Sequence, residues 1–179
     1  MKHRTARINI SSAGGTAGKG SKTCKVTLPT AWLESMGINS EQRELDLAFD
    51  GTKITLSRRL SGAEFAKKQR EYGHEMRILR FYDGNTLCST IYADFSEQAV
   101  IVENQVVSHI KTAFGNNVLP DWKDFQNFLA ERCIPQQRAG LREYLEALGL
   151  VEYDPLAIIE KTGGRMAEDR QWLSIELLK

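Results

Sequence analysis

Residues 23–59 read T-C-K-V-T-L-P-T-A-W-L-E-S-M-G-I-N-S-E-Q-R-E-L-D-L-A-F-D-G-T-K-I-T-L-S-R-R, and this stretch decides the fold of the first part of the chain. Polar and apolar residues alternate from Cys24 to Leu28, which predicts a short strand. Pro29 ends that strand because proline has no N–H to donate to a sheet. Residues 6–10 alternate in the same way and predict a partner strand.

A short helix is predicted after the proline. Thr30 can cap its first turn. Trp32, Leu33 and Met36 fall at helical spacing and would bury one face of the helix. Gly37 is expected to close it in the left-handed conformation that glycine permits.

A hairpin is predicted after this helix. Residues 45–49 alternate between apolar and polar or small side chains, and residues 54–56 continue the alternation on the return strand. Asp50-Gly51 lies between them and is a typical hairpin turn sequence. The order of elements is therefore strand, short helix and hairpin.

Charge is distributed unevenly along the chain, although the net charge is only +1. Residues 1–33 contain six basic side chains and no acidic one, whereas residues 81–179 contain nine basic and fifteen acidic ones. The basic segment predicts a polyanion or an acidic protein surface as its partner. The alternative is a solvated basic segment without a partner.

The stretch from Ser11 to Lys22 contains four glycines and predicts a flexible loop, because glycine weakens both helices and strands. It does not match a nucleotide-binding phosphate loop, since the positions that need a glycine and a hydroxyl hold Ala13 and Gly20. Its hydroxyl and backbone N–H groups can contact nucleic-acid phosphates. The predicted nucleic-acid-binding residues are Arg4, Arg7, Lys19, Lys22 and Lys25.

No motif in the sequence points to an enzyme, a metal site or a cofactor. The three histidines and three cysteines lack the spacing of metal ligands, and no G-x-S-x-G nucleophile motif is present. Three widely spaced cysteines favour free thiols in a reducing compartment. The apolar runs are too short for a transmembrane helix, so we expect no membrane partner. The absence of catalytic motifs and the free cysteines lead us to expect a cytoplasmic protein without enzymatic activity.

The remainder of the chain predicts a second module of the α+β class. Residues 60–73 form a charged helical segment between two glycines, which we interpret as a linker. Residues 74–104 contain three alternating segments, with a turn at Asp83-Gly84-Asn85, and predict an antiparallel meander. Residues 106–178 predict a helical bundle packed on that meander, so the module spans residues 74–179.

Within that bundle, the boundaries follow from capping residues. The first helix is expected from Val106 to Phe114, and the second after a capping box that begins at Asp121. The third is expected to start at Pro135 and the fourth at Asp154-Pro155. The last segment, Met166 to Leu178, is predicted to be helical at its beginning.

The order of motifs in the first part resembles the AbrB/MazE/SpoVT swapped-hairpin family. The matching segments are K-V-T-L-P-T-A-W-L-E-S-M-G-I at 25–38 and L-D-L-A-F-D-G-T-K-I-T-L-S-R at 45–58, within a domain of residues 1–59. The resemblance implies an intertwined homodimer with a β-barrel core. It also implies contacts to duplex DNA through basic residues of the first strands, here Arg7, Lys22 and Lys25. Leu33 and Glu34 stand where DNA-binding members can carry arginine.

The C-terminal half is similar to uncharacterised segments from Firmicutes, often encoded on mobile elements. We therefore hold two functional hypotheses. The first is a homodimeric DNA-binding transcriptional regulator, or antitoxin-like protein, whose residues 74–179 bind a host partner protein. The alternative is a phage- or mobile-element-encoded inhibitor, similar to anti-CRISPR proteins, that binds a host nucleic-acid enzyme through protein contacts.

Overall fold

The computed structural model describes residues 3–13 and 20–178. Internal contacts divide the chain into two compact units, Met1–Arg59 and Leu60–Lys179. Both units combine antiparallel strands with α-helix, which confirms the α+β class. Among the described residues, no helix is long and apolar enough to cross a membrane.

The first unit contains two hairpins with a short helix between them in sequence. Its elements are β1 (Ile8–Ser12), β2 (Lys22–Val26), α1 (Thr30–Ser35), β3 (Leu45–Phe49) and β4 (Ile54–Arg58). Over the described residues, β1 pairs only with β2 and β3 only with β4, so a single chain forms two separate two-stranded sheets and no closed barrel. Helix α1 is followed, as predicted, by Gly37 with a φ of +75°. Its N-cap is Pro29 and not Thr30, which already lies inside the first turn.

No described residue of the first unit is buried. Trp32, Leu33 and Met36 of the helical segment are only half-buried, so their predicted burial is partial. Leu47 is 68% exposed and Phe49 is 70% exposed. These exposures follow from the architecture, because a two-stranded hairpin has no second layer to cover its apolar face.

The second unit contains a four-stranded antiparallel sheet and four α-helices within residues 60–178. The strands are β5 (Met76–Asp83), β6 (Thr86–Asp94), β7 (Ala99–Asn104) and β8 (Gln171–Leu178). The helices are α2 (Gly62–Glu71), α3 (Trp122–Glu131), α4 (Leu141–Leu148) and α5 (Pro155–Thr162). The strand order is β7-β6-β5-β8, so the predicted meander of β5, β6 and β7 is confirmed and β8 extends it beside β5.

The main core lies between one face of this sheet and helices α3, α4 and α5. Leu79 and Ile91 oppose each other on β5 and β6, and both are fully buried. Phe125 of α3 and Ile158 of α5 are fully buried in the same cluster. The unit therefore has its own hydrophobic core, unlike the first unit.

Helix α2 packs on the opposite face of the sheet, which differs from the linker expected for residues 60–73. Gly62 and Ala66 are buried, and the Gly62 N–H donates to a carboxylate oxygen of Glu103 at 2.7 Å. Gly62 also lies against the ring of Tyr92. The helix buries only these two small residues, so its sequence lacks the stripe of large apolar side chains that usually marks a packed helix.

The prediction that the segment from Met166 to Leu178 begins as a helix is wrong, because residues 166–170 form turns and bends and Gln171–Leu178 form strand β8. Leu173 and Ile175 alternate toward the core and oppose Phe81 and Leu79 of β5. This pairing with a distant strand overrides the local helical tendency of the segment.

Two other helix predictions also differ from the structure. The segment Val106 to Phe114 contains only a 3-10 turn at His109–Lys111, and the hydroxyl of Thr112 donates to the His109 carbonyl at 2.8 Å. Helix α4 starts after Gly140 and not at Pro135, because residues 135–140 form turns and Gly140 has a φ of +79°.

The remaining capping predictions are confirmed. Asp121 and Asp124 form both hydrogen bonds of a capping box at the start of α3. Asp154 caps α5 through the Leu156 N–H, with Pro155 in the first turn. These signals are local, so they are readable from a few adjacent residues.

Candidate nucleic-acid interface

The β1–β2 hairpin has one apolar face. Strand residues alternate between faces, and directly opposed residues share a face. Ile8 opposes Val26, and Ile10 opposes Cys24, on this apolar side. Ile8 and Ile10 are each 59% exposed, and Val26 is 47% exposed. A single chain therefore leaves this face open to solvent.

The other face of the same hairpin is polar and basic. Asn9 opposes Lys25, and Ser11 opposes Thr23. Arg7 comes directly before β1 and continues the alternation on this side. Two cations thus share one face with amide and hydroxyl groups, which is the set of side chains that contacts nucleic-acid backbones.

The five predicted binding residues do not all lie together. Arg7 and Lys25 share the polar face of the hairpin. Lys22 begins β2 and falls on the apolar side. Arg4 precedes β1 and is exposed, and Lys19 lies outside the described residues.

The electrostatic environment of these residues favours an anionic partner. Arg4, Arg7, Lys22 and Lys25 are all exposed, and none forms an ion pair with another described residue. The sequence adds no acidic side chain in residues 1–33. Cations in such a position can neutralise phosphates and release the counterions of DNA.

The end of the hairpin remote from Arg7 leads into the glycine-rich segment. The Ala13 N–H donates to the Ser21 carbonyl at 2.8 Å, which continues the pairing beyond β1 and β2. Gly20 follows the segment with a φ of +93°, a conformation that glycine adopts at little cost. The flexible loop predicted between these residues lies largely outside the described residues.

The β3–β4 hairpin also presents an uncovered apolar face. Leu47 opposes Leu56, and Phe49 opposes Ile54, which is 62% exposed. On the other face, Asp46 opposes Ser57. The first unit thus contains two hairpins that each have an exposed apolar face.

The turn of the β3–β4 hairpin is held by the Asp50 carboxylate. It accepts hydrogen bonds from the Thr52 and Lys53 N–H groups at 3.0 and 2.9 Å. These bonds, with that of Thr52 the largest contribution, lower the pKa of Asp50 below its ordinary value. Gly51 has a φ of +97°, and the connection between the strands spans residues 50–53, two more residues than the predicted turn at Asp50-Gly51.

The histidines, cysteines and carboxylates of the described residues do not form a candidate metal site. Over residues 3–13 and 20–178, no group of three or more His, Cys, Asp or Glu side chains could hold a metal ion. Cys88 and Cys133 are buried, while Cys24 is exposed. Burial raises the pKa of the Cys133 thiol to about 11, so it stays protonated at neutral pH.

One cluster in the second unit is not among the residues predicted from the sequence. The carboxylate of Asp94 is fully buried and lies 2.8 Å from Nδ1 of His74. These two residues are 20 positions apart, and the β5–β6 hairpin brings them together. No short motif could have revealed this pair, because its spacing depends on the length of the hairpin.

Comparisons with protein-family models, with curated proteins and with solved structures found no match to this chain.

Proposed function

We propose that the protein is a homodimeric DNA-binding regulator, of the transcription-factor or antitoxin type, whose β1–β2 hairpin contacts duplex DNA. The observation that carries the proposal is the two-sided character of this hairpin. One face exposes apolar side chains, and the other holds Arg7 and Lys25 without ion-pair partners among the described residues. The first face suits a second copy of the chain and the second face suits phosphates. We also propose a cytoplasmic location for the protein.

Homodimerisation is supported by the exposed apolar faces of both hairpins. Ile10 is 59% exposed, Leu47 68% and Phe49 70%. Full burial of one such side chain stabilises a protein by about 1.5–3 kcal/mol, whereas an isolated two-stranded hairpin is only marginally stable. Two chains that interlock their hairpins, as in the swapped-hairpin fold, would cover both faces in one barrel.

DNA binding is supported by the composition of the polar face. Lys25 and Arg7 can neutralise phosphates, and Asn9, Ser11 and Thr23 can donate hydrogen bonds to phosphate oxygens. In a dimer with twofold symmetry each group occurs twice. The surface would therefore offer four cations from Arg7 and Lys25 alone.

Binding to a fluorescent DNA duplex, followed by anisotropy at low salt, tests this proposal. We expect Arg7→Ala/Lys25→Ala to weaken binding by about tenfold or more, because a phosphate that is no longer neutralised by a side chain keeps its counterions. Lys53→Ala is the matched control, since Lys53 is an exposed lysine of the same unit in the β3–β4 turn. Equal affinities of the double variant and the wild type would argue against the assigned face.

A second candidate function is inhibition of a host nucleic-acid enzyme through protein contacts, as in anti-CRISPR proteins. The segment between β7 and α3 favours it, because Val107 is 94% and Ile110 91% exposed, with Val118 and Leu119 also exposed. Exposed groups of large apolar side chains often mark protein interaction sites. Under this function, a host enzyme would bind nuclease-treated protein and the Lys25→Ala variant equally well. Val107→Ser/Ile110→Ser should abolish that binding.

A further inference from the structure

Asp94 is buried, and each oxygen of its carboxylate has two hydrogen-bond partners. Its Oδ2 accepts from Gln69 Nε2 at 2.7 Å and lies 2.8 Å from His74 Nδ1. Its Oδ1 accepts from the N–H groups of Ser96 at 2.9 Å and Glu97 at 3.0 Å. Burial acts to raise the pKa of Asp94, but the interactions with His74, Glu97 and Ser96 outweigh it and keep the pKa below the ordinary value. The carboxylate is therefore ionised at neutral pH.

This arrangement determines the tautomer of His74. An ionised carboxylate can only accept hydrogen bonds, so Nδ1 of His74 must carry the proton between them. Nε2 is then the ring nitrogen of His74 that is left to interact with a ligand.

His74 lines an open cavity of about 500 Å³ beside helix α2. Lys67 and Arg70, one helical turn apart, line the same cavity, and neither forms an ion pair with another described residue. Glu71 is the one carboxylate in the lining. The other lining residues are Gly73 and Leu178.

We propose that this cavity binds a phosphate group through Lys67 and Arg70, beside His74. His74 contacts Asp94, and the charged residues that line the cavity with it are Lys67, Arg70 and Glu71. The centre of the Tyr72 ring lies 6.1 Å from that of the His74 ring. Asp94 keeps its negative charge, but it is fully buried and does not line the cavity, whose lining carries two cations and one carboxylate besides His74. Cations with N–H donors, here Lys67 and Arg70, are the usual ligands of phosphate.

The phosphate can belong to a free phosphate ester or to the backbone of a nucleic acid, since both present the same oxygens. This site lies in the second unit and does not depend on the DNA-binding role proposed for the β1–β2 hairpin. Its failure would leave that role unchanged, because Lys67 and Arg70 are not part of the hairpin.

The test is a titration of the full-length protein with inorganic phosphate, followed by NMR of the His74 imidazole nitrogens. We expect saturable shifts at His74, and about tenfold or greater weakening in Lys67→Gln/Arg70→Gln, because hydrogen bonds between charged groups are among the strong ones. Lys68→Gln is the matched control, since Lys68 is an exposed lysine of α2 that does not line the cavity. Both substitutions lie on an exposed helix surface, so folding should be retained.

A competition experiment identifies the source of the phosphate. If a DNA duplex displaces inorganic phosphate, both from the wild type and from Arg7→Ala/Lys25→Ala, the ligand is the phosphate backbone of a nucleic acid. If the duplex does not displace it, the ligand is a free phosphate ester. Absence of saturable shifts, or equal weakening in Lys68→Gln, would overturn the site.

Discussion

Ile10 and Cys24 oppose each other across the β1–β2 hairpin, and both side chains are exposed in a single chain. If a second copy covers this face, a charge placed there must be desolvated in the interface, which is costly. We therefore expect Ile10→Asp to convert the dimer into a monomer. Light scattering coupled to size-exclusion chromatography would measure the mass directly.

Asn9→Asp is the matched control for this experiment. It introduces the same side chain one position earlier, on the opposite face of the same strand. This variant should keep the mass of a dimer, while its DNA affinity should fall because a carboxylate then opposes Lys25. A wild-type chain that is monomeric at all tested concentrations would contradict the dimer.

Arg132 and Asp169 form a bidentate ion pair in the second unit, with Nη1–Oδ2 at 2.7 Å and Nη2–Oδ1 at 3.1 Å. Arg132 is buried and also donates from Nε to the Gly164 carbonyl. We expect Asp169→Ala to lower the free energy of unfolding by about 2 kcal/mol, because it leaves a buried guanidinium short of acceptors. Urea unfolding measures this difference. The control is Glu168→Ala at the exposed neighbouring residue, which should change the free energy of unfolding by no more than about 0.5 kcal/mol. Similar decreases in the free energy of unfolding of both variants would refute the role of the ion pair.

Asp94 should make the stability of the second unit sensitive to acid. Its pKa in the folded protein lies below the ordinary value of about 3.9. Its stabilisation is therefore fully present above that value and is lost as the pH falls through the folded pKa. We expect Asp94→Asn to cost about 2 kcal/mol at neutral pH, and this cost should shrink below about pH 4. Unfolding of both proteins across this pH range gives the cost at each pH, and a cost that stays constant down to about pH 2 would show that folding does not lower the pKa of Asp94.

Gly62 leaves no room for a side chain. A Cβ atom there would lie 2.0 Å from Cε2 of Tyr92, so helix α2 or the ring would have to move. We expect Gly62→Ala to destabilise the protein by about 1–3 kcal/mol, as overpacking substitutions do. Thermal or urea unfolding gives the change. In a Tyr92→Ala background the same substitution should cost little, and an undiminished cost there would exclude this contact as the cause.

Local signals explain which parts of the fold are predictable from sequence. The cap at Asp121 and the glycine after α1 depend on a few adjacent residues, and both are confirmed. Strand β8 is not predictable in this way, because Leu173 and Ile175 become strand residues only by pairing with β5 almost a hundred positions earlier. The packing of helix α2 escapes prediction for a related reason, since it depends on the absence of a side chain at Gly62.

The candidate interface is predictable only in part. The excess of basic residues near the start of the chain identifies Arg7 and Lys25, but charge alone does not assign residues to faces. Pairing in the β1–β2 hairpin separates Lys22 from these two residues, because its position in the register places it on the apolar side. The cluster at His74 and Asp94 requires the folded sheet, so no reading of local sequence would find it.

The salt dependence of DNA binding by wild-type protein and Lys25→Ala tests the central proposal most directly. The logarithm of the affinity constant should fall linearly with the logarithm of salt concentration, and the variant should have a shallower slope by about 0.9 for each phosphate that it no longer neutralises. In a dimer Lys25 occurs twice, so we expect a reduction of about 1.8. Identical slopes for the two proteins, or no DNA binding at low salt, would contradict a phosphate-contacting role for this face of the hairpin.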